Sequence, residues 1–521
     1  MQSMRETMIK QVVLALCLTL SVGHLFAQTK WVATWATSPE PLVSSQSNFN
    51  PGMALANNSL RQVLRVSIGG DTLRMRFTNE YTNTAVKING ANIAVSTGGG
   101  IIDTTTLRTF KFSGKDSITM AASAYVWSDP IAFPLTPGLK VEITIYFGAG
   151  APAPGTYPGI TVHRGSRTTP RILAGNHLRD VNFSGSTPTQ QGASGQGSWV
   201  ISSMEVLAPQ QSAAAVAILG NSITDGLGVA NESFTRWTDA LTTNLLAHAR
   251  TSHVGVLNSG IGAGNLVSGG VSTPGLQRYK RDLFDHSGVK WIMILLAVND
   301  IGNTGCSMTT SNNVIAAYTT IADSAHARGI KVYGATLTPF GGNSYYSANS
   351  EACRSRINAW IRGTALSTGK YDAVVDFDKL LRNAPPGDTT RMQTVYYNDG
   401  LHPNIAGYTL MGNYVDTNLF IEGATAIRQV LLPAADYALG ETVNGLNGSM
   451  AIRFTIPREG FVSLKVRSLQ GREVAELAGK TFSPGEHTVE FKRGNLPGGV
   501  YLYSIRVGEF SATRKMTLSG R

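Results

Sequence analysis

The chain has 521 residues, more than one hydrophobic core usually organises, so we expect two to four domains. Hydrophobic residues make up 42% and charged residues 15% of the chain, proportions that are typical of a globular protein and exclude a disordered one. The net charge is +11, but no run of five basic residues concentrates it, so we expect a solvated basic surface and predict no nucleic-acid partner.

The first 27 residues have the pattern of a secretory signal peptide. Arg5 and Lys10 precede an apolar run over residues 12–20, and Ala27 supplies the small residue of a cleavage site. We therefore predict that residues 1–27 are a signal peptide and that the mature protein is secreted or held at the cell surface. The apolar run is too short to span a bilayer, and no later segment approaches about 18 apolar residues, so no stable membrane insertion is expected.

Two cysteines remain after residue 27. In an oxidising compartment a lone pair more often forms a disulfide than two free thiols, so a bridge between Cys306 and Cys353 is predicted and free thiols are the alternative. Cys17 suggests a lipid anchor, but Leu16 before it is bulkier than the small residue that such a cleavage site needs. No cysteine spacing resembles a zinc site, so no metal is predicted.

Residues 28–207 are patterned as antiparallel strands. The stretch 60–77 alternates apolar and polar residues on both sides of Gly69-Gly70-Asp71, which predicts a β-hairpin. Residues 139–147 alternate in the same way, and the composition of residues 184–198 is that of a loop. Several such runs predict an antiparallel β-sandwich, which we interpret as an accessory domain.

Residues 208–422 change to alternating strands and helices. Five apolar runs predict strands at 213–219, 253–258, 289–298, 330–337 and 371–377. Helical spacing of apolar residues predicts helices within 234–249, 313–328, 354–366 and 405–420. This order predicts a parallel sheet covered by helices on both faces, with ligands bound at the carboxyl ends of its strands.

Strand patterns return near the end of the chain. Residues 461–477 and 499–508 alternate apolar and polar side chains. We predict a linker over residues 423–440 and a small immunoglobulin-like β-sandwich over residues 441–521.

Two motifs of the α/β region supply a nucleophile and a base. Ser222 follows the first strand and precedes the first helix, a position that suits a nucleophile, although a serine in such a turn is more often a cap or a phosphate contact. Asp399 stands three residues before His402, so a carboxylate can hold the imidazole while its other nitrogen faces a hydroxyl. The alternative for this second motif is a polar turn that caps the last helix.

Further polar groups follow other strands of the same region. Asn299 comes directly after the third strand, where its amide can donate to an oxyanion, although alone it is more often a turn residue. The glycine-rich turn at 257–266 follows the second strand and offers backbone N–H groups. The combination predicts a nucleophile, a base, an orienting acid and oxyanion donors at one edge of the sheet.

Four stretches resemble, in order, the sequence blocks of the SGNH (GDSL-like) hydrolases. They are GNSITDG at 220–226, NSGIGAG at 258–264, AVND at 297–300 and DGLHP at 399–403. The resemblance implies a flavodoxin-like α/β sandwich with a five-stranded parallel sheet and ester hydrolysis without metal or cofactor. It also implies a catalytic Ser222, His402 and Asp399, and an oxyanion hole that includes Ser222 and Asn299.

Two residues depart from the family pattern. The oxyanion glycine of the family falls on Ala263, with Gly264 next to it, and the glycine two residues before Asn299 is Ala297. A backbone N–H does not require glycine, so Ala263 is predicted as the third oxyanion donor, with Gly264 as the alternative.

The flanking regions carry looser resemblances. WVATWATSP at 31–39, residues 67–81 and ATLTPFGG at 335–342 are similar to secreted bacterial SGNH proteins with an N-terminal β-domain, several of them assigned to acetyl esters of plant polysaccharides. LPGGVYLYSIRVG at 496–508 and RKMTL at 514–518 resemble sorting domains of the type IX secretion system, which implies the secretion machinery as a partner. An ordinary immunoglobulin-like appendage is the alternative.

Together these patterns predict a secreted serine esterase. Its expected substrates are short acyl esters, especially acetyl esters, on small molecules or on an acetylated polysaccharide. Two alternatives stay open: a lipase on long acyl chains, for which no long apolar lid segment is present, and a non-catalytic protein that binds a glycan.

Overall fold

A computed structural model provides the structure of the protein. It describes residues 29–41, 55–149, 160–185, 187–188, 197–208, 210–302, 306–384, 387–422, 437–444, 449–456, 460–482, 485–508 and 510–518. The chain divides into two compact units, Met1–Arg428 and Gln429–Arg521, which we describe separately. The predicted signal peptide and most of the predicted linker lie outside the described residues, and the predicted domain boundaries stay predictions.

The N-terminal part of the first unit consists of fifteen described strands. They are β1 (Lys30–Ala36), β2 (Glu40–Pro41), β3 (Asn58–Arg65), β4 (Gly70–Asn79), β5 (Val86–Gly98), β6 (Ile101–Thr109), β7 (Ile118–Met120), β8 (Ala124–Trp127), β9 (Ile131–Leu135), β10 (Lys140–Phe147), β11 (Thr161–His163), β12 (Arg171–Ala174), β13 (Thr187–Pro188), β14 (Ser198–Trp199) and β15 (Ile201–Ala208).

These strands form three antiparallel sheets. One has the order β1-β15-β4-β8 with β9 also on β4, the second has the order β13-β12-β3-β10-β5-β6 with β7 also on β5, and the third is β14-β11-β2. The short third sheet pairs Val162 with both Glu40 and Trp199, and it thereby fixes His163 beside Glu40. We call residues 29–208 the β region.

The hairpin predicted over residues 60–77 is wrong. β3 pairs with β10 and β12, whereas β4 pairs with β15, β8 and β9, so the two strands belong to different sheets. Alternation identifies a strand with a buried face but not its partner. Gly69 lies where a Cβ would come within 2.2 Å of the Leu135 carbonyl oxygen, so this glycine permits a close approach of β9 and not a hairpin turn.

The rest of the first unit alternates strands with helices. The strands are β16 (Ala214–Gly220), β17 (Val254–Gly260), β18 (Val289–Leu295), β19 (Lys331–Ala335) and β20 (Ala373–Val375). The α-helices are α1 (Ser222–Asp225), α2 (Trp237–Leu246), α3 (Gly275–Tyr279), α4 (Val298–Gly302), α5 (Met308–His326), α6 (Ala348–Arg362), α7 (Thr364–Ser367), α8 (Phe377–Leu381) and α9 (Ile405–Tyr414). A π-helical turn spans Lys280–Phe284, and 3₁₀ turns span Thr394–Tyr396 and Thr417–Phe420.

The five strands form one parallel sheet of order β17-β16-β18-β19-β20. Alternate residues of β16 belong to two hydrophobic clusters, Ala215 and Ala217 to one and Val216 and Ile218 to the other, so the sheet is buried on both faces. The predicted α/β region in a multidomain chain is confirmed. The flavodoxin-like layering and the flanking β-sandwiches stay predictions.

The β region packs directly on the parallel sheet. The Ala33 N–H donates to the Ser287 carbonyl at 2.9 Å, and the Val256 N–H donates to Ser67 Oγ at 3.1 Å. A Cβ on Gly255 would lie 2.3 Å from the Ala33 carbonyl oxygen. One hydrophobic cluster includes residues of both parts, so the β region and the sheet share a core.

Cys306 and Cys353 are joined by a disulfide, with their Cα atoms 6.2 Å apart. The bridge links the chain just before α5 to α6 across 47 residues. Because a bridge restricts the unfolded chain, a Cys306→Ser/Cys353→Ser double variant is expected to lose about 2–4 kcal/mol of unfolding free energy. Denaturant titration measures this loss, and the reduced wild type serves as the control that should match it. Two reactive thiols in the unreduced, denatured chain beginning at residue 28 would contradict the bridge.

The second unit consists of seven described strands in two sheets. They are β21 (Ala438–Asn444), β22 (Ser449–Ile456), β23 (Gly460–Ser468), β24 (Glu473–Phe482), β25 (Gly485–Lys492), β26 (Gly499–Val507) and β27 (Phe510–Leu518). The sheets have the orders β21-β22-β25 and β24-β23-β26-β27, and every pairing is antiparallel.

Within the described residues of the chain, no helix is long and apolar enough to cross a membrane.

Candidate active site

Ser222 is the first residue of α1, two residues beyond the end of β16. Asn221 caps this one-turn helix, because its Oδ1 accepts the Ile223 N–H at 2.9 Å. Gly220 lets the turn fold tightly onto the strand, since a Cβ there would lie 2.1 Å from Thr224 Oγ1. The turn holds Ser222 at the carboxyl end of the parallel sheet, as the sequence predicts.

His402 and Asp399 face Ser222 from the loop before α9. Ser222 Oγ lies 2.9 Å from His402 Nε2, and His402 Nδ1 lies 2.7 Å from Asp399 Oδ2. Asp399 Oδ1 accepts the backbone N–H groups of Leu401 at 3.0 Å and of His402 at 2.8 Å. Partial burial would raise the pKa of Asp399, but the hydrogen bonds from His402 and Leu401 outweigh it and hold that pKa below its usual value.

Asn299 lies in α4, beyond the end of β18, and its side chain is fixed from two sides. Its Nδ2 donates to the Gly264 carbonyl at 2.7 Å, and its Oδ1 accepts the Tyr345 hydroxyl at 3.2 Å. An amide nitrogen has two hydrogens, so the second N–H can serve a substrate oxygen. The side chain is only 2% exposed and lines the same cavity as Ser222.

The structure distinguishes Ala263 from Gly264 as oxyanion donors. The Gly264 N–H donates to the Ile261 carbonyl at 3.0 Å, so it is committed to the turn. Ala263 lines the cavity, and this favours its N–H over that of Gly264. Ala263 and Ala297, the two departures from glycine, both have positive φ values of 55° and 142°, a region that glycine adopts more readily.

A cavity of about 350 Å³ opens above these groups. Its lining is Glu40, Arg164, Gly165, Arg167, Ser222, Asp225, Leu227, Gly262, Ala263, Val271, Asn299, Tyr345, Leu401 and His402. The four motifs of the sequence therefore meet at one cleft. No cluster of His, Cys, Asp or Glu that could hold a metal ion occurs in the described part of the chain.

Comparison with known proteins identifies the α/β region. The model of the GDSL-like lipase/acylhydrolase family matches residues 218–410. This segment is a GDSL-like hydrolase domain. The resemblance of this segment to SGNH hydrolases is confirmed, and the family match supports a carboxylic ester hydrolase. No curated protein matches the sequence.

Several solved structures are similar to part of this chain. A GDSL-like lipase from Bacteroides thetaiotaomicron is 21% identical, with 40% of this chain and 88% of that chain covered and a TM-score of 0.30. A carbohydrate acetylesterase family member from Sinorhizobium meliloti is 14% identical, with 40% and 97% covered and a TM-score of 0.31. The native aryl esterase of M. smegmatis is 19% identical, with 38% and 95% covered and a TM-score of 0.30.

Sequence reasoning missed the part of the cleft that comes from the β region. Glu40, Arg164, Gly165 and Arg167 line the cavity of the GDSL-like domain although they precede its first motif by more than fifty residues. Asp225 also lines it, and its motif GNSITDG points to Ser222 alone. The charged run HRGSRT at 163–168 is the signal that could have suggested a role for this segment.

Proposed function

We propose that the protein hydrolyses carboxylic esters through an acyl-enzyme on Ser222. The observation that supports this most directly is the chain of two short contacts, 2.9 Å from Ser222 Oγ to His402 Nε2 and 2.7 Å from His402 Nδ1 to Asp399. A hydroxyl within hydrogen-bond reach of an imidazole that a carboxylate orients is the arrangement that activates a serine.

The reaction then has two matched halves. His402 takes the proton of Ser222 as Oγ attacks the acyl carbonyl, and the resulting imidazolium is stabilised by Asp399. The N–H groups of Ser222 and Ala263 and the side-chain amide of Asn299 donate to the tetrahedral oxyanion. His402 returns the proton to the leaving alcohol, and a water molecule repeats the sequence on the acyl-enzyme, which releases the acid and restores Ser222.

We further propose that the acyl group is short, most simply acetyl, and that the alcohol is a hydroxyl of a plant polysaccharide. Eight of the fourteen residues that line the cavity have polar or charged side chains, and the aliphatic ones, apart from the small Ala263, are Leu227, Val271 and Leu401. A long acyl chain needs an extended apolar surface, which this lining does not supply. The proposal also includes export by the signal peptide, β-sandwich architecture for the flanking regions, and sorting through the C-terminal β-domain.

A series of p-nitrophenyl esters tests the reaction and the acyl length. We expect kcat/KM to be highest for the acetate and to fall from butyrate to octanoate. Preference for octanoate would favour the lipase alternative, and no hydrolysis of any ester by the folded protein would favour a glycan-binding protein. Acetate release from acetylated xylan, pectin and rhamnogalacturonan, measured side by side, then identifies the polysaccharide.

Asn299→Ala is expected to lower kcat by about 10²–10³-fold, because one oxyanion donor contributes about 2.7–4 kcal/mol to the transition state. Tyr345→Phe keeps the amide and removes one hydrogen bond that orients it, so its loss should be about two- to tenfold. Asn312→Ala, on the exposed surface of α5, is the control and should match the wild type. A loss below about fivefold in folded Asn299→Ala would remove this residue from the oxyanion hole.

A further inference from the structure

A second histidine and carboxylate pair lies beside the nucleophile. His163 Nε2 lies 3.1 Å from Asp225 Oδ1, and His163 Nδ1 lies 3.3 Å from Glu40 Oε2. His163 comes from β11, Asp225 from α1 and Glu40 from β2. All three side chains are 3% exposed or less. The β region thus contacts the end of the helix that begins at Ser222.

Asp225 lies where it can set the geometry of the catalytic groups. It closes the single turn of α1, because its backbone N–H donates to the Asn221 carbonyl at 2.9 Å. A Cβ on Gly165 would lie 1.6 Å from Asp225 Oδ2, and a Cβ on Gly262 would lie 3.5 Å from the same oxygen. The carboxylate is therefore held between the segment after β11 and the turn that carries the Ala263 amide.

The segment after β11 is itself fixed to the GDSL-like domain. The Glu232 N–H donates to the Arg167 carbonyl at 2.8 Å, and the Arg236 guanidinium donates to the Ser166 carbonyl. Asn231 Nδ2 donates to Thr169 Oγ1 at 3.0 Å. Movement of His163 away from Asp225 would break this packing, so the pair has little freedom.

We propose that His163 is a positioning residue: by holding Asp225 it fixes the Ser222 helix and the Gly262–Ala263 turn in the reactive geometry. This rests on the proposed function. It makes the β region a part of the catalytic unit and not a separable binding module. A misplacement of about 1 Å in a catalytic group can cost about a hundredfold in rate, so the contribution is measurable.

Charge supports the same role. Burial would lower the pKa of His163, but Asp225 and Glu40 outweigh it and raise that pKa to about 9. Glu40 and Asp225 contact this histidine directly, Arg164 and Arg167 pair with these two carboxylates, and Tyr408 interacts electrostatically with Asp225. With His163 protonated, the two buried carboxylates are paired with His163 and with the guanidinium groups of Arg164 and Arg167. Protonated His163 stabilises the folded protein; this contribution is complete below about pH 6.5 and is lost as the pH rises through about 9.

Substitution of His163 tests the proposal. His163→Ala is expected to lower kcat for p-nitrophenyl acetate about 10- to 100-fold with KM changed less than about threefold, and His163→Gln, which keeps an N–H donor but no charge, should recover part of the loss. His326→Gln is the matched control, because His326 Nε2 lies 2.9 Å from Asp372 Oδ2 away from the cleft. A kcat for His163→Ala within threefold of the wild type would overturn the proposal.

A second variant keeps His163 and displaces Asp225. Gly165→Ala places a methyl group against the carboxylate and should give a similar loss of kcat at unchanged KM. Gly185→Ala is its control, since a Cβ there meets no atom within 4 Å. If Gly165→Ala is folded and as active as the wild type, Asp225 does not position the site.

The dependence on pH separates this inference from the proposed function. The Tm of the wild type should fall between about pH 6.5 and 9 more steeply than the Tm of His163→Gln, whether or not any ester is hydrolysed. In active protein, kcat of the wild type should fall as the pH rises through about 9, and kcat of His163→Gln should not. Equal slopes of Tm in the two proteins would overturn the role of the His163 charge. A wild type that shows the Tm difference but hydrolyses no ester would instead reject the proposed function.

Discussion

Ser222→Ala is expected to lower kcat for p-nitrophenyl acetate by about a millionfold and to leave only slow residual hydrolysis. Loss of a serine nucleophile has an effect of this size because the remaining oxyanion donors and binding contacts supply only about 10³–10⁴-fold over water. The side chain is nearly buried and its Oγ contacts His402 Nε2, so alanine removes the attacking atom with little change of volume. Initial rates with purified variant at high enzyme concentration measure the loss.

The control for this variant is Ser344→Ala, at an exposed serine next to the Tyr345 that lines the cavity. It should hydrolyse the ester at the wild-type rate. A fluorophosphonate probe, which reacts with activated serines, should label the wild type and Ser344→Ala at Ser222 and should not label Ser222→Ala. Wild-type activity in folded Ser222→Ala would reject Ser222 as the nucleophile.

The parallel sheet could be predicted from the sequence because its signals are local. Strands such as 213–219 and 289–298 are continuous apolar runs, and a strand buried on both faces needs no polar alternation. Since the carboxyl ends of parallel strands meet at one edge, the order of the motifs was enough to bring Ser222 and Asn299 together.

The pairing of the β region could not be predicted in the same way. The pattern of residues 60–77 identifies two strands, but each is an interior strand of a different sheet, and its partners lie far along the chain. Glu142 and Thr144 of β10 are buried together with the apolar residues between them, so the alternation that predicts one polar face is misleading there.

The contribution of the β region to the cleft could not be predicted from the sequence either. His163 and Asp225 are 62 residues apart, and a lone histidine in a strand carries no signal of a carboxylate partner. Only the fold shows that Gly165 gives the Asp225 carboxylate its space. The catalytic motifs were accessible because their family pattern is short and ordered, whereas this contact depends on two distant segments.

The orientation of His402 depends on the two oxygens of Asp399 acting differently. Oδ1 accepts the two backbone N–H groups at residues 401 and 402, which fixes the plane of the carboxylate. Oδ2 then lies 2.7 Å from His402 Nδ1 and accepts a hydrogen bond from its N–H, so Nε2 is left as the acceptor for the Ser222 hydroxyl. Asp399 Oδ2 therefore selects the His402 tautomer that catalysis needs, with the proton on Nδ1.

Asp399→Asn is expected to lower kcat by about 10⁴-fold with KM little changed. An asparagine can keep its side-chain oxygen on the backbone N–H groups, but its amide NH₂ then donates to His402 Nδ1. The imidazole proton therefore moves to Nε2, and a protonated Nε2 can no longer accept a hydrogen bond from the Ser222 hydroxyl. Steady-state kinetics with p-nitrophenyl acetate measures this. Asp180→Asn is the control, because Asp180 Oδ2 also lies 2.7 Å from a histidine Nδ1 three residues away, outside the cleft. A loss below about tenfold in folded Asp399→Asn would show that His402 is oriented without this carboxylate.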